Sequence, residues 1–244
     1  MESTRFILIN TSHAGNVGAT ARAMKVMGFA DLVLVAPRFA DVLCHEEAIA
    51  MASGAADILA RARVVGTLAE ALDGVDFVCA TAMTPRDFGP PTHEPRALFS
   101  ALAARPQAPR LALLFGSERY GMSNEDVYRS HAVLSIPTHP EYGSLNLSQA
   151  VQLLAYDLRQ ALGGFGVQAR TPDVTRADAQ AVQGLLEHLQ AALVDIGFLD
   201  PQAPRKLMPR LNQLFNRAEL TQEEVHILRG IARQMQKRSS GAEP

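Results

Sequence analysis

Residues 136–150, Ile-Pro-Thr-His-Pro-Glu-Tyr-Gly-Ser-Leu-Asn-Leu-Ser-Gln-Ala, lead a short apolar segment through a polar loop directly into an amphipathic helical pattern. A helix starting near Leu147 leaves its first backbone N–H groups without partners in the helix. Ser144 and Asn146 stand where a side chain either caps those groups or holds a ligand. Two other segments have the same strand-to-helix character. Residues 10–22, Asn-Thr-Ser-His-Ala-Gly-Asn-Val-Gly-Ala-Thr-Ala-Arg, read as a long loop that enters a helix near Ala19, with Gly15 and Gly18 letting the backbone approach a ligand. In residues 115–125, Gly116 and Gly121 supply tight geometry around the carboxylate of Glu118. A carboxylate there can accept backbone N–H bonds and stiffen the turn, a role that supports a site rather than reacting in it.

Gly15, Gly18 and Ala21 also imitate a dinucleotide fingerprint, so a nicotinamide-dependent oxidoreductase is the rival reading. The loop is longer than that fingerprint needs. The second strand, moreover, ends Val35-Ala36-Pro37-Arg38 with no carboxylate placed to hold a ribose.

The elements that must position these loops alternate. Apolar runs at 6–9, 32–35, 77–80, 111–115 and 133–136 predict strands; helical periodicity covers 19–27, 46–50, 68–72, 95–103, 124–129 and 147–162. This is an α/β pattern: a mostly parallel, Rossmann-like sheet with helices on both faces, whose ligands sit beyond the carboxyl ends of the strands. Leu147, Val151, Leu154, Ala155, Leu158 and Leu162 make one stripe, stopped by Gly163-Gly164. The chain divides into a first domain over 1–163, a linker over 164–175 and an all-helical extension over 176–244. In the extension, Thr175 with Asp178 and Thr221 with Glu224 read as capping boxes. Val182, Leu185, Leu186, Leu189, Leu193 and Ile196 form a helical face, and further helices span 203–217 and 222–237. The last helix buries Val225, Leu228, Ile231, Ala232 and Met235.

The net charge of −2 hides an asymmetry: residues 1–163 hold 13 Arg and Lys against 16 Asp and Glu, whereas residues 200–244 hold 8 against 5. The tail therefore suits a polyanion. Two unpaired cysteines, Cys44 and Cys79, and scattered histidines argue against a disulfide framework and against a metal site. No segment has the length of a membrane span or a signal peptide, so the expected location is cytoplasmic, away from membranes.

Taken together, the three loops resemble the SPOUT class of RNA methyltransferases, in the TrmH-like branch that methylates ribose 2'-hydroxyls. Asn16-x-Gly18-x-x-x-Arg22 is similar to that branch's first motif, Gly116-x-Glu118-x-x-Gly121 to its second, and Ser144-Leu-Asn146-Leu-Ser148 to its third. The C-terminal segments 197–208, 214–218 and 227–230 narrow the resemblance to enzymes that act on cytidine or uridine at nucleotide 32 of the tRNA anticodon loop. A ribosomal RNA site is the alternative within the same chemistry, and a catalytically silent RNA-binding protein is the alternative outside it.

The resemblance implies a C-terminal trefoil knot, a homodimer with a shared active site, and S-adenosylmethionine as cofactor. The cofactor would be held by the turn at Thr81, Ala82 and Met83, by Gly116, Glu118 and Gly121, and by Ile136, Ser144, Leu145 and Asn146. It also implies that Arg22, from the partner subunit, serves the acceptor, with Ser144 and Asn146 orienting cofactor or ribose. Asn16 and Arg22, with Arg205, Lys206, Arg210, Arg229 and Arg233 of the cationic tail, would meet the tRNA. The loop carrying His139 and Tyr142 departs from the branch pattern; Tyr142 either stacks on a base or covers the cofactor.

Overall fold

The computed structural model describes residues 1, 3–82, 86–168, 174–239 and 241. They form two compact units, Met1–Gly166 and Val167–Pro244. The first unit contains strands β1 (Arg5–Ile9), β2 (Asp31–Val35), β3 (Arg63–Val65), β4 (Phe77–Thr81), β5 (Thr92–His93), β6 (Leu111–Phe115) and β7 (Ala132–Leu134). Its helices are α1 (Ala14–Val26), α2 (Glu46–Ala52), α3 (Ala56–Arg61), α4 (Leu68–Ala71), α5 (Pro95–Ala103), α6 (Asn124–Tyr128) and α7 (Leu147–Ala161).

The seven strands form one sheet in the order β3-β2-β1-β6-β4-β7-β5, every neighbouring pair parallel. Side chains alternate across the sheet, as a period of two requires. Phe6, Leu8, Leu32, Leu34, Leu113 and Phe115 pack on one face with Val17, Met24, Phe99, Leu154 and Leu158 of α1, α5 and α7. Ile7, Ile9, Val33, Val35, Ala112 and Leu114 pack on the other with Leu68, Ala71 and Val127 of α4 and α6. Burial on both faces explains why the central strands read as unbroken apolar runs.

Helices α1 and α7 lie side by side, pointing the same way and tied at both ends. Asn146 bonds Asn16 at the N-terminal end (2.9 Å), and the buried Arg159 donates from Nε to the carbonyl of Met27 at the other (2.8 Å). The Arg159 guanidinium also lies over the rings of Phe29 and Phe165.

Several expectations are corrected here. α1 begins at Ala14 rather than Ala19, so the turn after β1 is short and Asn16, Gly18 and Arg22 are helical. Gly18 is small because of α2, not a ligand: a Cβ there would lie 2.0 Å from the carbonyl oxygen of Ala48. β7 ends at Leu134, two residues early, and the strands β3 and β5 and helix α3 were not anticipated.

The second unit contains α8 (Ala179–Asp195), α9 (Leu207–Ala218) and α10 (Gln222–Ser239) around Leu185, Leu186, Phe215, Leu220 and Val225. The capping box at α10 forms, with Thr221 N donating to Glu224 Oε2 (2.7 Å) and Glu224 N to Thr221 Oγ1 (3.2 Å). At α8 the cap is Asp178, which accepts from Ala181 N (2.7 Å). Thr175 instead gives its carbonyl to Gln222 N, because the segment leading into α8 pairs with the one leading into α10. α9 starts four residues later than its periodicity suggests, and Ile196 and Ile231 are exposed rather than buried.

Gly18→Ala forces a methyl group into the backbone of α2 and should lower stability by about 2–3 kcal/mol, read as a fall in the urea midpoint at unchanged m-value. A neutral effect would mean that α1 and α2 do not pack this closely.

Candidate active site

Because all seven strands are parallel, the turns after β1, β4, β6 and β7 leave the same edge of the sheet. β6 lies between β1 and β4, so the turn after β6 can reach both neighbours. That turn is held narrow by paired bonds between Ser117 and Gly121 (3.0 and 2.8 Å), with Gly121 at φ +68°. Gly116 is obligatory there, since a Cβ would lie 2.2 Å from the backbone of Gly121.

From this turn Glu118 points back to the chain that leaves β1. Its Oε1 accepts from Thr11 Oγ1 and Asn16 Nδ2, and its Oε2 from the backbone N and Oγ of Ser12, each at 2.9 Å. Burial pushes its pKa up, but the bonds from Asn16 and Ser12 outweigh this and hold the carboxyl down to about 2. An ionised carboxylate only accepts, so Asn16 must present its Nδ2 to Glu118 and turn Oδ1 outward. Asn146 Nδ2 donates to that Oδ1 at 2.9 Å. The Oδ1 of Asn146 therefore faces α7, where it accepts from Ser148 N (2.9 Å) and Ser148 Oγ (2.7 Å) and caps the helix. One directed chain of bonds thus joins the first, second and third motifs.

Beside this chain lies a cavity of about 340 Å3, in the size range of small-molecule sites. The structure brings Thr81, Ala82, Gly116, Glu118, Gly121, Ile136, Ser144 and Leu145 together in its wall. Thr81 Oγ1 donates to Leu114 O (2.9 Å) and Ala82 N to Leu134 O (3.2 Å), fixing the end of β4 between its neighbours. Met83 lies outside the described residues. Asn146 and Asn16 belong to the hydrogen-bonded chain rather than the wall. Arg22 is exposed on α1 about 9 Å along the helix from Asn16, and it is not part of this cavity. His139 and Tyr142 close a turn at the rim through Tyr142 N and His139 O (3.2 Å), leaving the phenol ring exposed.

Sequence reasoning missed Thr11 and Ser12, which hold Glu118, and Arg86, which lines the cavity. The signal for Arg86 was its position just beyond the carboxyl end of a parallel strand. Arg205, Lys206, Arg210, Arg229 and Arg233 are all exposed in the second unit, and none makes an ion pair among the described residues. Cys79 is buried, which pushes its thiol up to about 12, and Cys44 is exposed. Among the described residues no group of three His, Cys, Asp or Glu side chains is placed to hold a metal, and no helix is long and apolar enough to cross a membrane.

The SpoU rRNA Methylase family model matches residues 3–156, and the model for the C-terminal domain of the tRNA methyltransferase TrmJ matches residues 180–244. The chain belongs to the SpoU methylase family, in the branch whose members carry the TrmJ C-terminal domain. It is 41% identical to the tRNA (cytidine/uridine/adenosine-2'-O-)-methyltransferase TrmJ of Pseudomonas aeruginosa, over 99% of this chain and 96% of that one. The crystal structure of TrmJ from Z. mobilis ZM4 superposes with a TM-score of 0.79 at 30% identity, covering 96% of this chain and 99% of that chain. A probable methyltransferase from Bordetella pertussis Tohama I matches at 45% identity and a TM-score of 0.61, covering 66% of this chain and 97% of that one.

Glu118→Gln should cost about 2 kcal/mol at neutral pH, because one donor then faces another donor. The folded pKa of about 2 lies below the unfolded value, so the carboxylate's contribution is complete above about pH 5 and fades as pH falls toward 2. The stability gap between native chain and variant, read by urea denaturation, should therefore narrow in acid; a constant gap would contradict an ionised Glu118.

Proposed function

We propose that this chain methylates a ribose 2'-hydroxyl of tRNA with S-adenosylmethionine, at cytidine or uridine 32 of the anticodon loop. The observation that carries this reading is the hydrogen-bonded chain through three separated motifs, the second and third of which line the adjoining cavity, in a chain similar over its full length to tRNA 2'-O-methyltransferases. The cavity fits the cofactor in size, in its combination of apolar and polar wall residues, and in holding a buried donor, Arg86 Nε, that has no partner among the described residues. The nicotinamide reading loses its support, since Gly18 is occupied by the backbone of α2 and leaves no approach for a pyrophosphate.

In this proposal Thr81, Ala82, Gly116, Ile136 and Leu145 hold the methyl donor, and Gly121 shapes the turn that carries Gly116. When bound, S-adenosylmethionine supplies an electrophilic methyl on a sulfonium sulfur. The protein contributes alignment of the acceptor oxygen and exclusion of water, which together account for most of the acceleration. Ser144 and Asn146 orient cofactor and ribose at the N-terminus of α7. Glu118 supports the site through Asn16. Arg22 reaches the acceptor from the partner subunit of a homodimer, where its permanent charge holds a phosphate or the developing oxyanion; a guanidinium does not serve as a base. The second unit binds tRNA through phosphate contacts from Arg205, Lys206, Arg210, Arg229 and Arg233, which give affinity and register rather than base readout. A cytoplasmic location is consistent with this substrate.

Arg22→Ala should lower methyl incorporation into tRNA by about 100-fold or more while leaving the melting temperature and cofactor affinity in place; near-normal turnover would remove Arg22 from the site. Changing Arg229 and Arg233 to Ala should weaken tRNA binding and reduce the slope of log affinity against log salt by about 1–2. An unchanged slope would exclude phosphate contact by these two residues.

A further inference from the structure

We propose that Arg86 anchors the α-carboxylate at the amino-acid end of the methyl donor; this rests on the cofactor reading above. Arg86 belongs to none of the three motifs. Its side chain lines the cavity, and its Nη2 donates to the carbonyl of Met122 (3.0 Å), which ties the segment after β4 to the turn after β6. Its Nε is buried and has no hydrogen-bond partner among the described residues. Buried donors are normally satisfied, and a guanidinium has five N–H groups to satisfy.

The charge inventory of the cavity points the same way. Arg86 and Glu118 are the two charged side chains in its wall. Glu118 makes no ion pair with Arg86; its oxygens accept from Thr11, Ser12 and Asn16 instead. Arg86 makes no ion pair among the described residues, which leaves its guanidinium available to an anion on the ligand. S-adenosylmethionine carries one anionic group, its carboxylate, beside a cationic sulfonium and a cationic ammonium. A planar carboxylate is also the group that takes two parallel N–H bonds from a guanidinium edge. An RNA phosphodiester is the other source of an anionic oxygen, but it brings chain on both sides. A partly buried arginine held to the turn after β6 suits a terminal group instead.

Calorimetry on the full-length chain tests this with three ligands: S-adenosylmethionine, its decarboxylated form, and 5'-methylthioadenosine. The native chain should bind S-adenosylmethionine about 10- to 100-fold more tightly than the decarboxylated form, the range of a charge-assisted hydrogen-bond pair. In Arg86→Met that discrimination should vanish. Affinity for 5'-methylthioadenosine, which lacks the amino-acid end, should stay the same and so show an intact cavity. Arg86→Lys should restore part of the discrimination, having the charge without the fork. Equal binding of the first two ligands by the native chain would overturn the assignment. So would discrimination that survives in Arg86→Met, and loss of tRNA affinity alone would then give Arg86 to a phosphate. A native chain that binds none of the three would remove the cofactor reading itself, and this assignment with it.

Discussion

The ionised carboxylate of Glu118 sets the direction of the hydrogen bonds that join the three motifs. As a pure acceptor it fixes which way the Asn16 amide points, Asn16 fixes Asn146, and Asn146 caps α7. Hydrogen bonds chained in this way polarise one another, and a half-satisfied chain is costly in a partly buried place. Burial pushes Glu118 up, but the bonds from Asn16 and Ser12 outweigh it and hold the carboxyl far below the usual range. It performs no reaction step in the proposed mechanism; it ties the turn after β6 to the chain that leaves β1.

This chain of bonds works because the sheet brings its ends together. β6 sits between β1 and β4, so residues more than a hundred positions apart, Thr11 and Glu118, meet at one strand edge. Helices α1 and α7 are clamped by Asn16 and Asn146 at one end and by Arg159 at the other, so the cap of α7 cannot drift from the turn after β1. The close approach of α2 to Gly18 holds α1 from its other side. The cavity is thus a consequence of strand order and helix packing, with its wall supplied by turns that the packing leaves no freedom to move apart.

Much of this was legible in the residues. β6 and α5 follow their patterns residue for residue, because β6 is buried throughout, α5 buries one regular face, and burial sets both patterns. β3 was not legible, since Arg63–Val65 pairs at the sheet edge and has no apolar run to betray it. The start of α1 was misplaced because Gly15 and Gly18 are poor helix formers; the packing against α2 that requires them is a tertiary effect absent from local propensity. The motif spacing pointed to Asn16, Glu118 and Asn146, but their direct connection depends on three-dimensional adjacency. Arg86 escaped for the same reason: it becomes a cavity residue only when the turns after β4 and β6 meet. A trefoil knot, which the family resemblance implies, has no local signature, because periodicity does not record which segment passes through which loop.

The central claim is that Glu118 and Asn146, which share no hydrogen bond with each other, act as one unit through Asn16. A double-substitution cycle with Glu118→Gln and Asn146→Ala, read as S-adenosylmethionine affinity by calorimetry, tests it most directly. The account predicts a coupling energy of about 0.5–3 kcal/mol, as for members of one network. Effects that simply add, within about 0.3 kcal/mol, would contradict it.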